Sequence, residues 1–235
     1  MGVGNATRVG LVMCNHNRGP YLREAIDSVI NQTFTDWQLV IWDNASTDKS
    51  RSVLEQIRDD RISVVYGTEN NFPHCQHHAL YSLNCEYLGI VDSDDRMLPD
   101  CLEKTVGYLD GRVDVGMVFT HYVEIDHTGD LIQLGHRCKL NYTAEYILNI
   151  HIVFHFKLFR KTCHDAIGGI DKNQRLAVDW DFALRFSEQF TIECLPIVLY
   201  EHRKHRDSVS QSRSEEQGRW SIIAKESALV RRGRS

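Results

Sequence analysis

Three carboxylates stand within four residues at Asp92, Ser93, Asp94 and Asp95, directly after the short apolar run Tyr87 to Val91. Like charges at that spacing repel by about 4 kcal/mol per pair at ~4 Å and an effective dielectric near ~20. A hard divalent cation neutralises all-oxygen ligands of this kind, and Mg2+ or Mn2+ commonly shares its coordination shell with phosphate. The stretch therefore reads as a site for a metal-bound diphosphate. An Asp-rich turn capping a following helix, expected over Leu98 to Tyr108, is the plainer account of the four residues alone. Their place at the carboxyl end of a strand, where open α/β sheets bind ligands, favours the cation.

Other titratable groups have ordinary explanations beside their chemical ones. Asp179 and Asp181 open a periodic segment, Val178 to Glu188, and acids at a helix N-terminus are stabilised by the dipole, so capping accounts for both. His74, Cys75, His77 and His78 crowd together, but their spacing fits no standard zinc site. His202 and His205 read on their own as members of a basic surface loop. Arg231, Arg232 and Arg234 read as a solvated helix end rather than a lipid contact.

The elements that position these groups alternate. Val9 to Met13 is a strand-length apolar run closed by a polar loop ending in Gly19-Pro20. Tyr21, Leu22, Ala25, Ile26, Val29 and Ile30 then recur at helical spacing. Trp37 to Trp42 is a second strand ending at Asp43, and Ser50 to Ile57 is helical in period. Ile62 to Tyr66, a helix from Cys75 to Asn84 and the run at Tyr87 complete the pattern. Such alternation predicts a parallel sheet with right-handed crossovers and helices on both faces, with Asp43 and the Asp92 cluster on one rim. Beyond it, Val115 to Val123 is a strand that leads through Asp126 to Asp130 into a hairpin at Leu131 to Leu134, giving a mixed sheet. Thr143 to Ile150 has helical character, and Ile152 to Phe159 suits a strand or a buried helix. Ile192 to Tyr200 is a last strand, and Glu215 to Arg234 a closing helix with Trp220, Ile223, Ala224 and Leu229 as its apolar side.

The 235 residues are 42% apolar and 25% charged, which describes a globular chain with a sizeable core. A net charge of -5 gives no general drive toward nucleic acid. Seven scattered cysteines without a CxxC spacing indicate neither a disulfide framework nor a zinc knuckle and suit reduced cytosol. The first residues lack the apolar core of a signal peptide and no run reaches membrane-span length. The expectation is a cytoplasmic protein, at most lying on a membrane surface.

Four stretches in order resemble the inverting family-2 glycosyltransferases of the GT-A fold. They are VGLVMCNHNRGPYLREAIDSVINQTFTDWQLVIWDNASTD, EYLGIVDSDD, GGID followed by DWDFALR, and HRKHRDSVSQS, together covering about Val9 to Ser212. The resemblance implies one Rossmann-like domain over 1–235. Within it, about 8–110 would bind the nucleotide sugar, about 111–212 would face the acceptor, and 213–235 would be a C-terminal helix.

It further implies a nucleotide-diphosphate sugar donor, Mn2+ or Mg2+, and a glycan, lipid-linked or small-molecule acceptor whose hydroxyl attacks with inversion. Asn15, His16, Asn17, Asp43, Gln76, Asp92 and Asp94 are the implied nucleotide-side residues, with Asp43 accepting from a base N–H. Asp94, Asp95 and His205 are the implied metal ligands, and Asp179 the base. Val178 stands where the family commonly has Glu, and a slip of register would make Asp181 the base. Gln76, His77 and Ala79 replace an Arg-Asn pair and a glycine. That removes a positive charge from the diphosphate and leaves His77, His205 or Arg203 to compensate.

Two other functions use similar parts. A nucleotidyltransferase needs a glycine- and lysine-rich phosphate loop, and Asn15 to Pro20 is a poor one. A non-catalytic sugar-nucleotide binding module would keep Asp43 and Asp95 but have no need of Asp179. A dinucleotide oxidoreductase is disfavoured because no GxGxxG follows the first strand.

Overall fold

A computed structural model describes residues 7–206, 208 and 214–234. Its first half is built from β1 (Val9–Asn15), α1 (Gly19–Ile30), β2 (Trp37–Asp43), α2 (Ser50–Leu54), β3 (Ile62–Tyr66), α3 (Phe72–Ser82) and β4 (Tyr87–Ile90). The short β5 (Arg96–Met97) and α4 (Cys101–Asp110) follow, then the long β6 (Val115–Ile125) and β7 (Leu131–Leu134). The second half closes with β8 (Lys157–Arg160), α5 (Lys161–Ala166), α6 (Val178–Ser187), β9 (Thr191–Arg203) and α7 (Ser214–Arg231).

One mixed sheet runs in the order β3-β2-β1-β4-β8-β6-β9-β5, with β7 paired to β6. β3, β2, β1 and β4 are mutually parallel, and the long β6–β9 ladder is parallel too. β8 is inserted antiparallel between β4 and β6. In β1 every residue is buried because both its faces are covered. Leu11 and Met13 point to a core shared with Leu22, Ile26 and Val29 of α1 and Leu102 and Val106 of α4. Val12 and Cys14 point to the opposite core, shared with Ala79 and Leu80 of α3 and Phe182 and Phe186 of α6. Helices thus lie on both faces, as the alternation predicts. Parallel register then fixes the rim: Asn15 stands opposite Asp43, and the chain leaves β4 beside β1 at Asp92.

Several boundaries differ from the sequence reading for local reasons. The helix expected from Leu98 begins at Cys101, because Arg96 and Met97 pair with β9 and the Leu98 N–H donates to the Leu199 carbonyl at 2.9 Å. α3 begins at Phe72 rather than Cys75, with Pro73 in its first turn and the Asn71 side chain accepting from the His74 N–H. Of Ile152 to Phe159 only the end becomes a strand, and within Thr143 to Ile150 only Tyr146–Leu148 makes a helical turn. β9 continues beyond Tyr200 to Arg203, which carries His202 and Arg203 to the rim.

α7 packs through Ala224 and Ala228, while Ile223 is 44% exposed. Its terminal arginines are tied to the body: Arg231 to Glu188, Arg232 to the Ala144 carbonyl, and Arg234 to Glu145. Residues 207 and 209–212 of the closing sequence segment lie outside the described residues.

Gly89 marks the tightest part of the central strand. A Cβ there would meet Leu11 Cδ2 and Phe156 Cζ at 2.8 Å each, both from fully buried side chains. Overpacking of this kind costs about 1–3 kcal/mol. Gly89→Val should lower the urea midpoint by the corresponding amount, and an unchanged midpoint would contradict the packing described.

Candidate active site

At the open end of β1 and β2, the side chains form a polar network. Asn15 Nδ2 donates to Asp43 Oδ1 at 2.8 Å and to Ser46 Oγ at 3.1 Å, and the Ser46 hydroxyl donates to the same Asp43 oxygen. From the described residues Asp43 Oδ2 receives only a long bond, 3.3 Å, from the Ser46 N–H, so it keeps acceptor capacity. Asn17, at φ 53, turns its backbone N–H to Ser46 Oγ and its side-chain oxygen to the Thr47 N–H. Asn is among the few residues that adopt this conformation readily. His16 donates through Nδ1 to the Asn44 carbonyl at 2.7 Å. Gln76 is buried on α3 beside Cys75, whose thiol donates to the Asn44 side chain.

The carboxylates after β4 have separate environments. Asp94 Oδ2 accepts from Arg18 Nε at 2.8 Å and faces His205 Nε2 at 2.9 Å. Burial works to raise its pKa, but His205 and Arg18 outweigh it and hold the carboxyl down at about 2. Asp95 is 1% exposed. Its Oδ1 accepts the Arg203 backbone N–H at 2.8 Å and its Oδ2 faces His202 Nδ1 at 3.2 Å, and burial pushes its carboxyl up. Asp92 Oδ2 faces His155 Nε2 at 3.1 Å.

Two sets of ligand atoms among the described residues lie within 4.8 Å of one another: Asp92, Asp94 and Asp95, and Asp95, His155 and His202. The first, all oxygen, fits a hard divalent cation. The crowded histidines of α3 belong to neither set, and His77 donates to the Ile170 carbonyl instead of turning toward the rim.

Arg203 is not where a diphosphate contact needs it. Its side chain is 1% exposed, and the guanidinium donates to the carbonyls of Asp94, Asp126 and His127 and to the Glu24 carboxylate at 2.7 Å. This is a correction to the sequence reading: the group pins the Asp94 backbone from behind. Asp181 is corrected likewise. It is 7% exposed in its side chain and accepts from Arg185 Nε at 2.8 Å, one turn along α6, so it is committed to the interior.

Asp179 has the opposite setting. Its side chain is 38% exposed, Oδ1 accepts from the Trp180 N–H, and Oδ2 lies 3.5 Å from His151 Nδ1. Burial works to raise its pKa, and His151, in the charged form it takes only in acid, together with the Lys157 ammonium overcomes that and holds the carboxyl at about 2. Lys157, fully buried at the start of β8, is within electrostatic reach of both Asp179 and Asp92. The rim and the start of α6 therefore share charged neighbours, Lys157 and His155.

Arg18, His151, His155, Lys157 and His202 were not singled out by the sequence reading as site residues. Arg18 lay in a quoted motif. The others gave no local signal, since His155 and Lys157 sit in an apolar run and His202 looks like surface.

The sequence profile described as glycosyl transferase family 2 matches residues 11–168, more than half of the chain. The chain belongs to glycosyl transferase family 2. This family 2 chain is 25% identical over 204 residues to a chondroitin synthase of Escherichia coli, covering 86% of the chain and 30% of that protein. It is 24% identical to a hyaluronan synthase of Pasteurella multocida, covering 86% of the chain and 21% of that protein. It thus spans less than a third of either relative.

Among solved structures, S. aureus TarS 1-349 in complex with UDP-GlcNAc superposes with a TM-score of 0.74 at 17% identity, covering 92% of this chain and 66% of that one. The mannosyltransferase PcManGT of Pyrobaculum calidifontis, in complex with GDP-Man and Mn2+, gives 0.69 at 18% identity, covering 96% and 65%. The fold is that of the GT-A glycosyltransferases.

Because Arg203 is buried and paired, its removal takes a donor from the Asp94, Asp126 and His127 carbonyls and leaves Glu24 with Arg96 alone. Breaking such a pair costs about 3–5 kcal/mol, and the 46% exposure of Glu24 sets the expectation at the lower end. Arg203→Met should lower the unfolding free energy by roughly 3 kcal/mol. A variant of unchanged stability that only loses nucleotide affinity would instead return Arg203 to the diphosphate.

Proposed function

We propose that the chain transfers a sugar from a nucleotide-diphosphate sugar to an acceptor hydroxyl, with inversion, during synthesis of a polysaccharide. The observation that carries this reading is the pairing pattern of the acids. Asp181 is spent inside on Arg185, while Asp179 keeps a partly open carboxylate that shares Lys157 and His155 with Asp92 on the rim.

The donor's base would be read by Asp43 Oδ2, which is short of donors, inside the frame made by Asn15, Asn17 and Ser46. Asp94, with Asp92 or Asp95 and His205, would hold a divalent cation, Mn2+ or Mg2+. When bound, such an ion stabilises the negative charge that develops on a departing diphosphate. The complexes of TarS with UDP-GlcNAc and of PcManGT with GDP-Man and Mn2+ support a nucleotide sugar and a metal of this class.

Asp179 acts as general base. An acceptor hydroxyl is too weakly acidic to attack unaided, and a carboxylate within hydrogen-bond reach of its proton supplies about 10²–10⁴ in rate. Arg18 keeps Asp94 ionised before the donor arrives, and Lys157 does the same for Asp179. A direct displacement needs one base and no second carboxylate nucleophile.

The synthase relatives favour a growing glycan as acceptor. Seven free cysteines suit a reducing compartment. No described helix is long and apolar enough to cross a membrane.

Two outcomes are expected. UDP-GlcNAc or GDP-Man with Mn2+ should raise the thermal transition, a ligand at ~100 times its Kd adding about 2.7 kcal/mol, and EDTA should remove most of the shift. Asp179→Asn should keep that shift while transfer falls by about 10²–10⁴-fold. Full turnover by Asp179→Asn would remove the base, and binding with no turnover by the wild type would favour a non-catalytic module.

A further inference from the structure

His151 holds an unusual relation to Asp179. Its Nε2 lies 2.9 Å from the Val153 carbonyl, which has no proton to give, so Nε2 carries the hydrogen. The neutral ring then presents the bare lone pair of Nδ1 to Asp179 Oδ2 at 3.5 Å. Two acceptors facing each other repel, and the gap is longer than a hydrogen bond. A proton between them would turn the pair into donor and acceptor.

The surroundings keep the ring in that state. Its side chain is 13% exposed, stacked on Trp180 with centroids 6.3 Å apart and met edge-on by Phe154 at 5.8 Å. Burial pushes the imidazole down to about 3 against the pull of Asp179, and the charged groups of Arg137 and Lys157 push it the same way. Oδ1 of Asp179 is occupied by the Trp180 N–H, which fixes the carboxylate plane and leaves Oδ2 for the arriving proton.

Resting on the reading of Asp179 as base, we infer that His151 is its positioning residue: the acceptor's proton, once on Asp179 Oδ2, is held in a hydrogen bond to His151 Nδ1. The acceptor oxygen forms its bond to the anomeric carbon, and the bond from that carbon to the diphosphate oxygen breaks with its electron pair leaving on the nucleotide. The hydroxyl proton passes to Oδ2 and remains there, hydrogen-bonded to Nδ1. That bond exists only when Asp179 is protonated, so it strengthens along the reaction and is absent in the ground state. Interactions of this kind accelerate the step rather than tightening substrate binding.

Two measurements on the full chain test this. The first needs no donor: ¹⁵N NMR of histidine-labelled protein should find His151 neutral, protonated on Nε2 and bare at Nδ1 from about pH 8 to about pH 5. In Asp179→Asn, whose amide can donate, the Nδ1 resonance should move. An imidazolium at neutral pH, or the proton on Nδ1, overturns the inference.

The second follows nucleoside diphosphate released from UDP-GlcNAc and from GDP-Man with Mn2+, using whichever is turned over. His151→Phe should lose about 10–100-fold in kcat with the donor KM within about twofold. His151→Asn, which can set an amide oxygen near the place of Nδ1, should recover most of it. Wild-type turnover in His151→Phe with Asp179→Asn inactive overturns the inference alone, whereas wild-type turnover in Asp179→Asn overturns the base assignment beneath it. If His151→Phe does not fold, His151→Asn and the NMR result decide.

Discussion

Crowded negative charge at the end of a buried strand is the constraint from which the rest of this molecule follows. Asp92, Asp94 and Asp95 leave β4 with their oxygens within 4.8 Å of one another, and several nearby elements supply partners to them. Arg18 comes from the loop after β1, His155 from the segment before β8, and His202, the Arg203 N–H and His205 from β9 and the turn beyond it. The three acids are therefore not equivalent. Asp95 is bound into the scaffold by a backbone N–H, whereas Asp94 is held by the side chains of Arg18 and His205.

This explains why the second half of the chain cannot be separated from the first. β8 sits between β4 and β6, and β9 reaches back across β6 and β5 to bring its end to the acids. Arg203 fastens that arrangement, joining the Asp94 carbonyl to Glu24 on α1 and to the hairpin carbonyls at Asp126 and His127. A guanidinium suits the task because its planar fork supplies several donors at once.

Much of this was legible in the sequence, and the reasons for what was not are physical. Buried parallel strands announce themselves as apolar runs, so β1, β2, β3 and β4 and the shared rim at Asp43 and Asp92 followed from pattern alone. Asp179 and Asp181 were harder. At 100° per residue, positions i and i+2 of a helix point to nearly opposite sides, so one must face the cleft and the other the core. Two aspartates at a helix start give no clue which, and only Arg185 one turn on, with Gly169 and Ile167 behind it, settles Asp181 inward. The histidines illustrate a different failure. His151, His155 and His202 acquire their meaning from carboxylates 28, 63 and 107 positions away, counting 179 − 151, 155 − 92 and 202 − 95, and no local period encodes that.

The central claim is that Asp94 is the pivot at which a divalent ion and a nucleotide's diphosphate meet the protein. The most direct measurement is ³¹P relaxation of UDP or GDP in the presence of Mn2+, with the wild type and with Asp94→Asn whose folding is verified by its thermal transition. The account predicts strong paramagnetic relaxation of the β-phosphorus with the wild type and its loss with Asp94→Asn. Equal relaxation in the two proteins would contradict it.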